Sequence, residues 1–460
     1  MPPLLAPHVQ KLSVIDSARV PVLKFCLCGI DIDLVFVAVA LPQPPTDAEV
    51  LDTVATLPLV APECRLSFNG IRTVLQLRRI VAATGVRHDA YATALKAVKL
   101  WAKAQHLYGM NYGYPGGVGY GVLVARACQF LAVHQQRNAS ATGSPPPPPP
   151  PRSSDATPQD ESSSSLAAAA AATPATAPPP LTALTVFRMF FEFLNAWMRD
   201  PTRVHTIYVT ENLDPHPDAP RFAGMPETFG SSGNDFVGPL VVLNPAYPYV
   251  NTCYGVGHSG VAWLRREVAR AQATLQAHAA QRAPWAHLMD RPSDFARHFA
   301  AHAQWVLVEV PHKPIAPATA RRAGVDAEAL AEVGARDGEV DGFVEAKLKF
   351  LLYELESAGV DVRVVPARLT HSTRTSGSSL DTLFLVACRG GASTEALTGL
   401  VDRALRVFRV SLTVGHEWPM YVPPRADVRR YDNPLVKALL AACNINASPL
   451  QPNRKKPRTE

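Results

Sequence analysis

Several features are scarce in this sequence of 460 residues, and each absence excludes a class of protein. No run of about eighteen apolar residues occurs, which excludes an ordinary membrane-spanning helix and predicts no membrane partner. The first residues, MPPLLAPHVQ, have no charged segment followed by an apolar stretch, so we expect no secretory signal there. The seven cysteines are scattered, and they form neither a zinc pattern nor a disulfide framework. This cysteine usage is typical of a reducing compartment.

Proline, in contrast, is abundant. The 43 prolines are too many for a chain that is compact throughout, although 47% hydrophobic residues suffice for large cores. Residues 137–180 are of low complexity, with an uninterrupted proline run from Pro145 to Pro151 followed by serines and alanines. This composition predicts a disordered insertion, and a docking site for a proline-binding module is the alternative. The net charge of +6 permits a polyanionic partner without requiring one.

Local patterns predict strands first, then helices, then a mixed segment. Strands are expected at residues 20–28 and 30–39, and a helix at residues 94–106. In the last third, the order β-α-β-β-α-β begins with the strand WVLVEV and ends with the strand RVSLTV. That order predicts a small ferredoxin-like sheet, which RNA-recognition domains use. Metabolic-regulatory and metal-handling domains share it, and the aromatic-rich RNP1 signature is absent.

The segment CGIDIDLVF places two carboxylates on what its apolar residues predict to be a buried strand. Side chains alternate along a strand, so Asp31 and Asp33 share one face while Ile30, Ile32 and Leu34 share the other. Buried carboxylates require partners, because an unpaired buried charge is strongly unfavourable. A metal ion, a basic side chain or water at an open cleft could each serve here.

Residues 94–130, ALKAVKLWAKAQHLYGMNYGYPGGVGYGVLVARACQF, resemble the eukaryotic nuclear poly(A) polymerase family. Four flanking stretches match the family in the correct order: ARVPVLKFCLCGIDIDLVF, SFNGIR, NPAYPYVNTCYGV and GFVEAKLKFLLYELE. The resemblance implies an α+β fold with a partial nucleotidyltransferase sheet (residues 1–42) and a central helical domain (43–290, interrupted by the insertion). An RNA-binding, RRM-like domain (291–425) and a basic tail (426–460) follow.

The resemblance also implies roles for individual residues. Asp33 matches the third of three carboxylates that hold catalytic metal ions in the family, and Asp31 matches an acidic neighbour. Lys99 and Tyr108 match residues that contact ATP. The glycine-rich segment predicts further nucleotide contacts, because glycines permit close backbone approach and a helix N-terminus attracts phosphate. These contacts are Gly116, Gly117 and Val118, with Asn69 ranked below them.

Each of these assignments has a simpler structural alternative. The glycine-rich segment could be a tight turn between helices, and Lys99 a solvated lysine beside an apolar stripe. Asn69 and Gly70 are predicted to form a turn, and Asn-Gly is also the commonest hairpin turn. The family has asparagine where this chain has Met110 and Gly255, so adenine recognition here is expected to use somewhat different polar groups.

By resemblance, the function is template-independent addition of AMP from ATP to the 3′ end of RNA, with Mg²⁺ or Mn²⁺ ions in a two-metal mechanism. We expect a nuclear monomer that meets cleavage and polyadenylation factors. The basic cluster at Arg454–Arg458 could be a nuclear import signal, a phosphate contact or a merely solvated tail. Tailing enzymes outside the nucleus and CCA-adding enzymes are a weaker alternative, because they generally lack the C-terminal sheet domain.

The family's first two metal-binding carboxylates, which follow a Gly-Ser motif, have no counterpart upstream of Asp31. Two hypotheses follow. In the first, the protein is a poly(A) polymerase whose true start lies upstream of Met1. In the second, it is a catalytically inactive paralogue that serves as an RNA-binding or scaffolding module.

Overall fold

A computed structural model describes residues 9–15, 20–141, 181–200, 205–209, 238–246, 249–281, 285–289, 304–310, 337–365, 369–372, 380–389, 394–413 and 425–430. Most of the predicted insertion (142–180) and the basic cluster near the C-terminus lie outside these residues. Within the described parts, no helix is both long and apolar enough to cross a bilayer. The described chain mixes helices with antiparallel sheets, as the α+β prediction requires.

The first element is a three-stranded antiparallel sheet of β1 (Val9–Ile15), β2 (Val22–Leu27) and β3 (Ile30–Val35), in that order. Positive φ angles at Cys28 and Gly29 give the tight turn between β2 and β3 the backbone twist that suits a hairpin. The prediction that β3 is buried is wrong: Ile30, Leu34, Asp31 and Asp33 are all exposed. Apolar alternation identified the strand, but nothing in the described chain covers its apolar face.

Helices follow the sheet. The short helices α1 (Asp47–Leu51) and α2 (Thr53–Thr56) lead into α3 (Arg65–Ala83), and Thr46 and Glu49 form a capping box at the start of α1. Buried side chains from this region form a small separate cluster with α3, comprising Val50, Val60, Cys64, Phe68 and Leu75.

The largest core lies between α4 (His88–Ala104), α5 (Gly117–Ala141), α6 (Ala183–Trp197) and α7 (His258–Ala277). Helix α6 supplies its aromatic layer: the Trp101 ring packs edge-on against Phe191 at 4.8 Å between centroids. Because α5 continues to Ala141, the first residues of the predicted insertion, 137–141, are helical. The short parallel strands β4 (His205–Ile207) and β5 (Leu240–Val242) lie at the edge of this core, and α8 (Ala286–Met289) follows α7.

The last third forms an antiparallel sheet, here called the C-terminal sheet, with strands β6 (Gln304–Val310), β7 (Asp361–Val364), β8 (Leu369–Ser372), β9 (Leu380–Arg389) and β10 (Arg425–Arg430). Its strand order is β10-β6-β9-β7, and β8 also pairs with β9. Helices α9 (Asp337–Ser357) and α10 (Thr394–Thr413) contribute to its core. The strand predicted at RVSLTV is wrong: that segment continues α10 to Thr413, and the last strand is β10.

Helix α9 also joins the C-terminal sheet to the central core. The Glu356 carboxylate accepts hydrogen bonds from the backbone N–H groups of His258 (2.9 Å) and Ser259 (3.0 Å), at the N-terminus of α7. The N-cap residue of α7, Gly257, has no side chain to do this, so a residue distant in sequence satisfies those donors. In return, Ser259 Oγ accepts a hydrogen bond from the Val362 N–H at 3.1 Å.

Candidate functional site

The connection between α4 and α5, residues 108–117, is here called the glycine turn. Gly109 and Gly113 adopt φ values of +117° and +80°, a region that favours glycine. Two backbone hydrogen bonds close the turn, since the Gly109 N–H donates to the Pro115 carbonyl and the Tyr114 N–H donates to the Gly109 carbonyl, each at 3.1 Å. The turn therefore has one defined shape, with Tyr108 at one end and Gly117 at the other.

Lys99 and Tyr108 meet at Gly117, the first residue of α5. A Cβ atom built on Gly117 would lie 2.9 Å from the Tyr108 hydroxyl oxygen and 3.4 Å from Lys99 Nζ. A side chain here would displace the Tyr108 hydroxyl and would touch Lys99 Nζ, so the glycine keeps this space open. The first N–H groups of a helix have no carbonyl partner within it. An ammonium, a hydroxyl and a helix N-terminus thus converge, a combination suited to a phosphate group.

The electrostatics of this region match its geometry. Burial lowers the pKa of Lys99, and the positive charge of Lys103 lowers it further. Burial raises the pKa of Tyr108, so its hydroxyl remains a neutral donor. Neither lysine makes an ion pair with a residue that the structure describes, which leaves two positive charges for an anionic ligand. Lys103 Nζ also lies 5.1 Å from the Tyr108 ring centroid.

Lys103 was missed in the sequence analysis. Its spacing of four residues from Lys99 places both on one face of a helix, and this signal could have identified it. Val118, the next residue of α5, is 48% exposed. Gly116 directly precedes Gly117, and a Cβ atom on it would lie 3.7 Å from Cγ of Met110.

Asn69 lies elsewhere, and the turn predicted for it is wrong. It sits inside α3, where its carbonyl accepts a hydrogen bond from Thr73 Oγ1 at 2.7 Å. Its side-chain oxygen is buried and has no hydrogen-bond partner among the described atoms. Thr73 Oγ1 lies 2.9 Å from Asn244 Oδ1, which links α3 to the segment that follows β5. Across the described chain, no hydrogen bond joins Asn69 to Lys99 or Tyr108.

Asp31 and Asp33 lie on one face of β3, as predicted, but that face is open to solvent. Lys24 on β2 is directly opposite Asp33, and the two charged groups are 3.8 Å apart. Neither carboxylate forms a hydrogen bond or ion pair with Lys99 or Tyr108 in the part of the chain described. Among all residues that the structure describes, no group of three or more acidic, histidine or cysteine side chains could hold a metal ion.

Two regions of the chain are similar to known proteins. A model of the poly(A) polymerase nucleotidyltransferase domain matches residues 4–81, and a model of the poly(A) polymerase central domain matches residues 90–138. Poly(A) polymerase pla1 of Schizosaccharomyces pombe is 38% identical over 122 residues, 26% of this chain. Poly(A) polymerase PAPalpha of Candida albicans is 33% identical over 123 residues, 27% of this chain.

Two regions of the chain, residues 4–81 and 90–138, are similar to the poly(A) polymerase family. The second match, to the central domain, contains Lys99, Tyr108 and the whole glycine turn. The matched stretch spans 21% of each of these two relatives, so the chain spans about a fifth of the curated relatives that it matches.

Two departures from the poly(A) polymerase pattern, Met110 and Gly255, are neighbours in space. A Cβ atom on Gly255 would lie 2.8 Å from the Met110 carbonyl oxygen, so only glycine fits there without a backbone shift. The glycine turn therefore packs against the segment that precedes α7. Tyr254, in the same segment, accepts a hydrogen bond from Lys349 Nζ of α9 at 3.3 Å.

Proposed function

We propose that this chain acts in template-independent addition of AMP from ATP to the 3′ end of RNA. The convergence of Lys99 Nζ and Tyr108 Oη on Gly117 carries the proposal, because it provides charge, a hydroxyl and helix N–H groups at one point. The family matches support it, since the relatives are named poly(A) polymerases. Lys99 and Lys103 would bind the triphosphate, and the Tyr108 hydroxyl would donate to it. Gly116 and Val118 would border the nucleotide.

Divalent metal ions are implied by the family, and the described residues fit them only in part. Carboxylate oxygens are the ligands that Mg²⁺ prefers, and one or two carboxylates with substrate phosphates can hold it. Asp31 and Asp33 therefore suit one Mg²⁺ or Mn²⁺ ion, which would neutralise phosphate charge. The two-metal scheme needs three carboxylates by resemblance, and the described residues contain no such group of three. The carboxylate of Asp33, the proposed catalytic residue, must also leave its ion pair with Lys24 in order to bind the metal ion.

RNA binding is proposed for the C-terminal sheet. Its order, β10-β6-β9-β7 with helices between the strands, supports the proposal of a ferredoxin-like, RRM-like domain. On α9, Lys347 Nζ lies 5.2 Å from the Phe343 ring centroid, and Lys349 Nζ lies 4.8 Å from that of Tyr254. Cations beside aromatic rings suit single-stranded RNA, which offers both phosphates and stacking bases. Nuclear location, a monomeric state and contacts with cleavage and polyadenylation factors remain predictions of the resemblance.

A second candidate function is binding without catalysis. The exposure of Asp31 and Asp33 favours it, as does the lack of a third grouped carboxylate among the residues that the structure describes. In that case, the chain would hold ATP or RNA at the same surfaces and transfer nothing.

One experiment separates these functions. The full chain is titrated with ATP and is then incubated with ATP, Mg²⁺ and an RNA primer, and the same is done for Lys99→Met, Asp33→Ala and Lys96→Met. If the chain adenylates RNA as proposed, the Asp33→Ala variant should not extend the primer, but it should still bind ATP in the absence of metal ions. Lys96 is exposed on the same helix, so its variant should behave as the wild type. ATP binding without extension supports the binding module, and absence of ATP binding contradicts the adenylation function.

A further inference from the structure

Tyr120 lies on α5, three residues after Gly117, and its side chain is completely buried. Its hydroxyl donates a hydrogen bond to the carbonyl oxygen of Leu107 at 2.7 Å. Because α4 ends at Ala104, that helix does not satisfy this carbonyl, and the Tyr120 hydroxyl does so instead. Leu107 directly precedes Tyr108, so this hydrogen bond joins the two ends of the glycine turn.

The aromatic ring of Tyr120 also supports the ring of Tyr108. The two ring planes are nearly parallel, at 5°, and their centroids are 6.0 Å apart, within the range of a displaced parallel stack. Phe190 of α6 packs on the Tyr120 ring as well, with 6.5 Å between the centroids. The core of the central helices therefore holds the Tyr120 ring in place, and this ring in turn limits where the Tyr108 ring can lie.

The backbone of Tyr120 is tied to the other end of the glycine turn. Its N–H donates to the carbonyl of Gly116 at 3.0 Å, in the first turn of α5. Burial raises the pKa of Tyr120 well above its ordinary value, so the hydroxyl keeps its proton and remains a donor. One residue thus fixes both Tyr108 and the backbone at Gly117, which determines how far the Tyr108 hydroxyl lies from the helix N-terminus.

We propose that Tyr120 is a positioning residue, which holds the Tyr108 hydroxyl beside the N-terminus of α5 in the arrangement that binds the triphosphate of ATP. The inference rests on the proposed function, because it concerns the same nucleotide site. Tyr120 is completely buried, so it acts through Tyr108 and does not contact the ligand itself. Loss of its hydroxyl would release the Leu107 carbonyl and let Tyr108 move relative to Gly117.

The test measures ATP binding to the full chain by calorimetry. Tyr120→Phe removes the hydroxyl and keeps the stacked ring, and it should weaken ATP binding about fivefold, as expected for one lost hydrogen bond. Tyr120→Leu also removes the stack, so it should weaken binding further. Thermal unfolding establishes that each variant is folded at the temperature of the titration.

A second comparison shows whether the effect passes through Tyr108. Tyr108→Phe lacks the hydroxyl that Tyr120 positions, and it should itself weaken ATP binding. Added to Tyr108→Phe, the change Tyr120→Phe should therefore cost little further affinity. A general loosening of the protein would lower the affinity by the same factor with or without the Tyr108 hydroxyl.

Tyr91→Phe is the matched control. Tyr91 is also a buried tyrosine of the central core, and its hydroxyl donates to a backbone carbonyl of α5, that of Gly121, at 3.0 Å. Its loss should lower the unfolding temperature about as much as Tyr120→Phe, with ATP affinity unchanged. A merely structural role for Tyr120 would make the two variants alike in both measurements.

The outcomes are distinct. If Tyr120→Phe binds ATP as tightly as the wild type, or loses the same factor of affinity with and without the Tyr108 hydroxyl, the positioning role is overturned and the proposed function stands. This holds even if Tyr120→Leu fails to fold. If the wild type does not bind ATP, or if Lys99→Met binds it equally well, the proposed function fails and the positioning role fails with it.

Discussion

The hydroxyl oxygen of Tyr108 lies 2.9 Å from the point where a Cβ atom on Gly117 would stand. A methyl group there must displace the hydroxyl, and it would also be in van der Waals contact with Lys99 Nζ at 3.4 Å. We therefore predict that Gly117→Ala weakens ATP binding. The backbone tolerates alanine, because Gly117 has no positive φ and the nearest atoms are the ends of side chains. The unfolding temperature should hence stay constant while affinity falls, as calorimetry and thermal unfolding would show.

Gly399→Ala is the control for this change. Gly399 lies in the middle of α10, and a Cβ atom on it would meet nothing within 4 Å. This variant should gain about 0.5–1 kcal/mol of stability without any change in ATP affinity. Equal ATP affinity for Gly117→Ala and the wild type would show that the space at Gly117 is not a ligand site.

Lys99→Met should weaken ATP binding and stabilise the ATP-free protein. The folded pKa of Lys99 lies below its ordinary value of 10.5, because burial and Lys103 disfavour its charge. Between the two pKa values, the unfolded chain therefore binds more protons than the folded protein, so the free energy of unfolding rises with pH across that window. At neutral pH, the charged Lys99 side chain destabilises the folded protein. Removing the charge should add less than about 1 kcal/mol, since the side chain is half-buried and screened.

The loss of ATP affinity in Lys99→Met should be about tenfold to a hundredfold, the value of a hydrogen bond to a charged group. Wild-type affinity should also decline as the pH rises through the lowered pKa of Lys99, and the variant should lose this dependence. Thermal unfolding with and without ATP measures both effects. Lys96→Met, an exposed neighbour on α4, should change neither. A variant that loses stability and affinity together would identify Lys99 as a structural residue.

The local part of the candidate site could be predicted from the sequence. Lys99, Tyr108 and Gly117 lie on consecutive elements joined by a short turn, so a helix, a glycine-rich segment and a second helix suffice to bring them together. Glu356 could not be found in this way. It comes from the C-terminal part of the chain, and only tertiary packing places it at the N-terminus of α7.

Each prediction from the sequence that proved wrong has a specific structural cause. The alternation of Asp31 and Asp33 with apolar residues indicates two faces but not which face is covered. The Asn-Gly pair at Asn69 has turn propensity, but burial of Phe68 and Leu75 on one face of α3 overrides it. Likewise, RVSLTV is rich in β-branched residues, yet it extends α10, whose core side chains include Val401 and Phe408.

Gly257→Ala should destabilise the junction between α7 and α9. A Cβ atom on Gly257 would overlap the Glu356 carboxylate, which accepts the two N–H groups at the start of α7. Overpacking of this kind typically costs about 1–3 kcal/mol. Glu356→Ala alone should cost about 1–2 kcal/mol, because it leaves those donors without their acceptor. Urea unfolding of the single variants measures both losses.

The double variant decides whether the two changes act on one contact. Once Glu356→Ala has removed the carboxylate, the Gly257 methyl group has nothing to overlap, so the second change should add little. Additive losses in the double variant would contradict the contact between Gly257 and Glu356.

The apolar face of β3 should make the chain associate. Ile30 and Leu34 are 66% and 53% exposed, and Phe36, which directly follows the strand, is 76% exposed. Leu34 is opposite Leu23 of β2, so these side chains form one continuous apolar surface on an edge strand. Replacing Ile30, Leu34 and Phe36 by threonine keeps strand propensity and removes most of this surface. Dye binding to exposed apolar surface and concentration-dependent association should both fall.

Asp31 and Asp33 point to the opposite face, so the triple threonine variant should keep the wild-type affinity for ATP. Val54→Thr is the control: Val54 is 86% exposed on α2, and single exposed apolar residues are ordinary on protein surfaces. That substitution should leave dye binding and light scattering unchanged. If the triple variant scatters light and binds dye as the wild type does, the face of β3 is not the surface through which the chain associates.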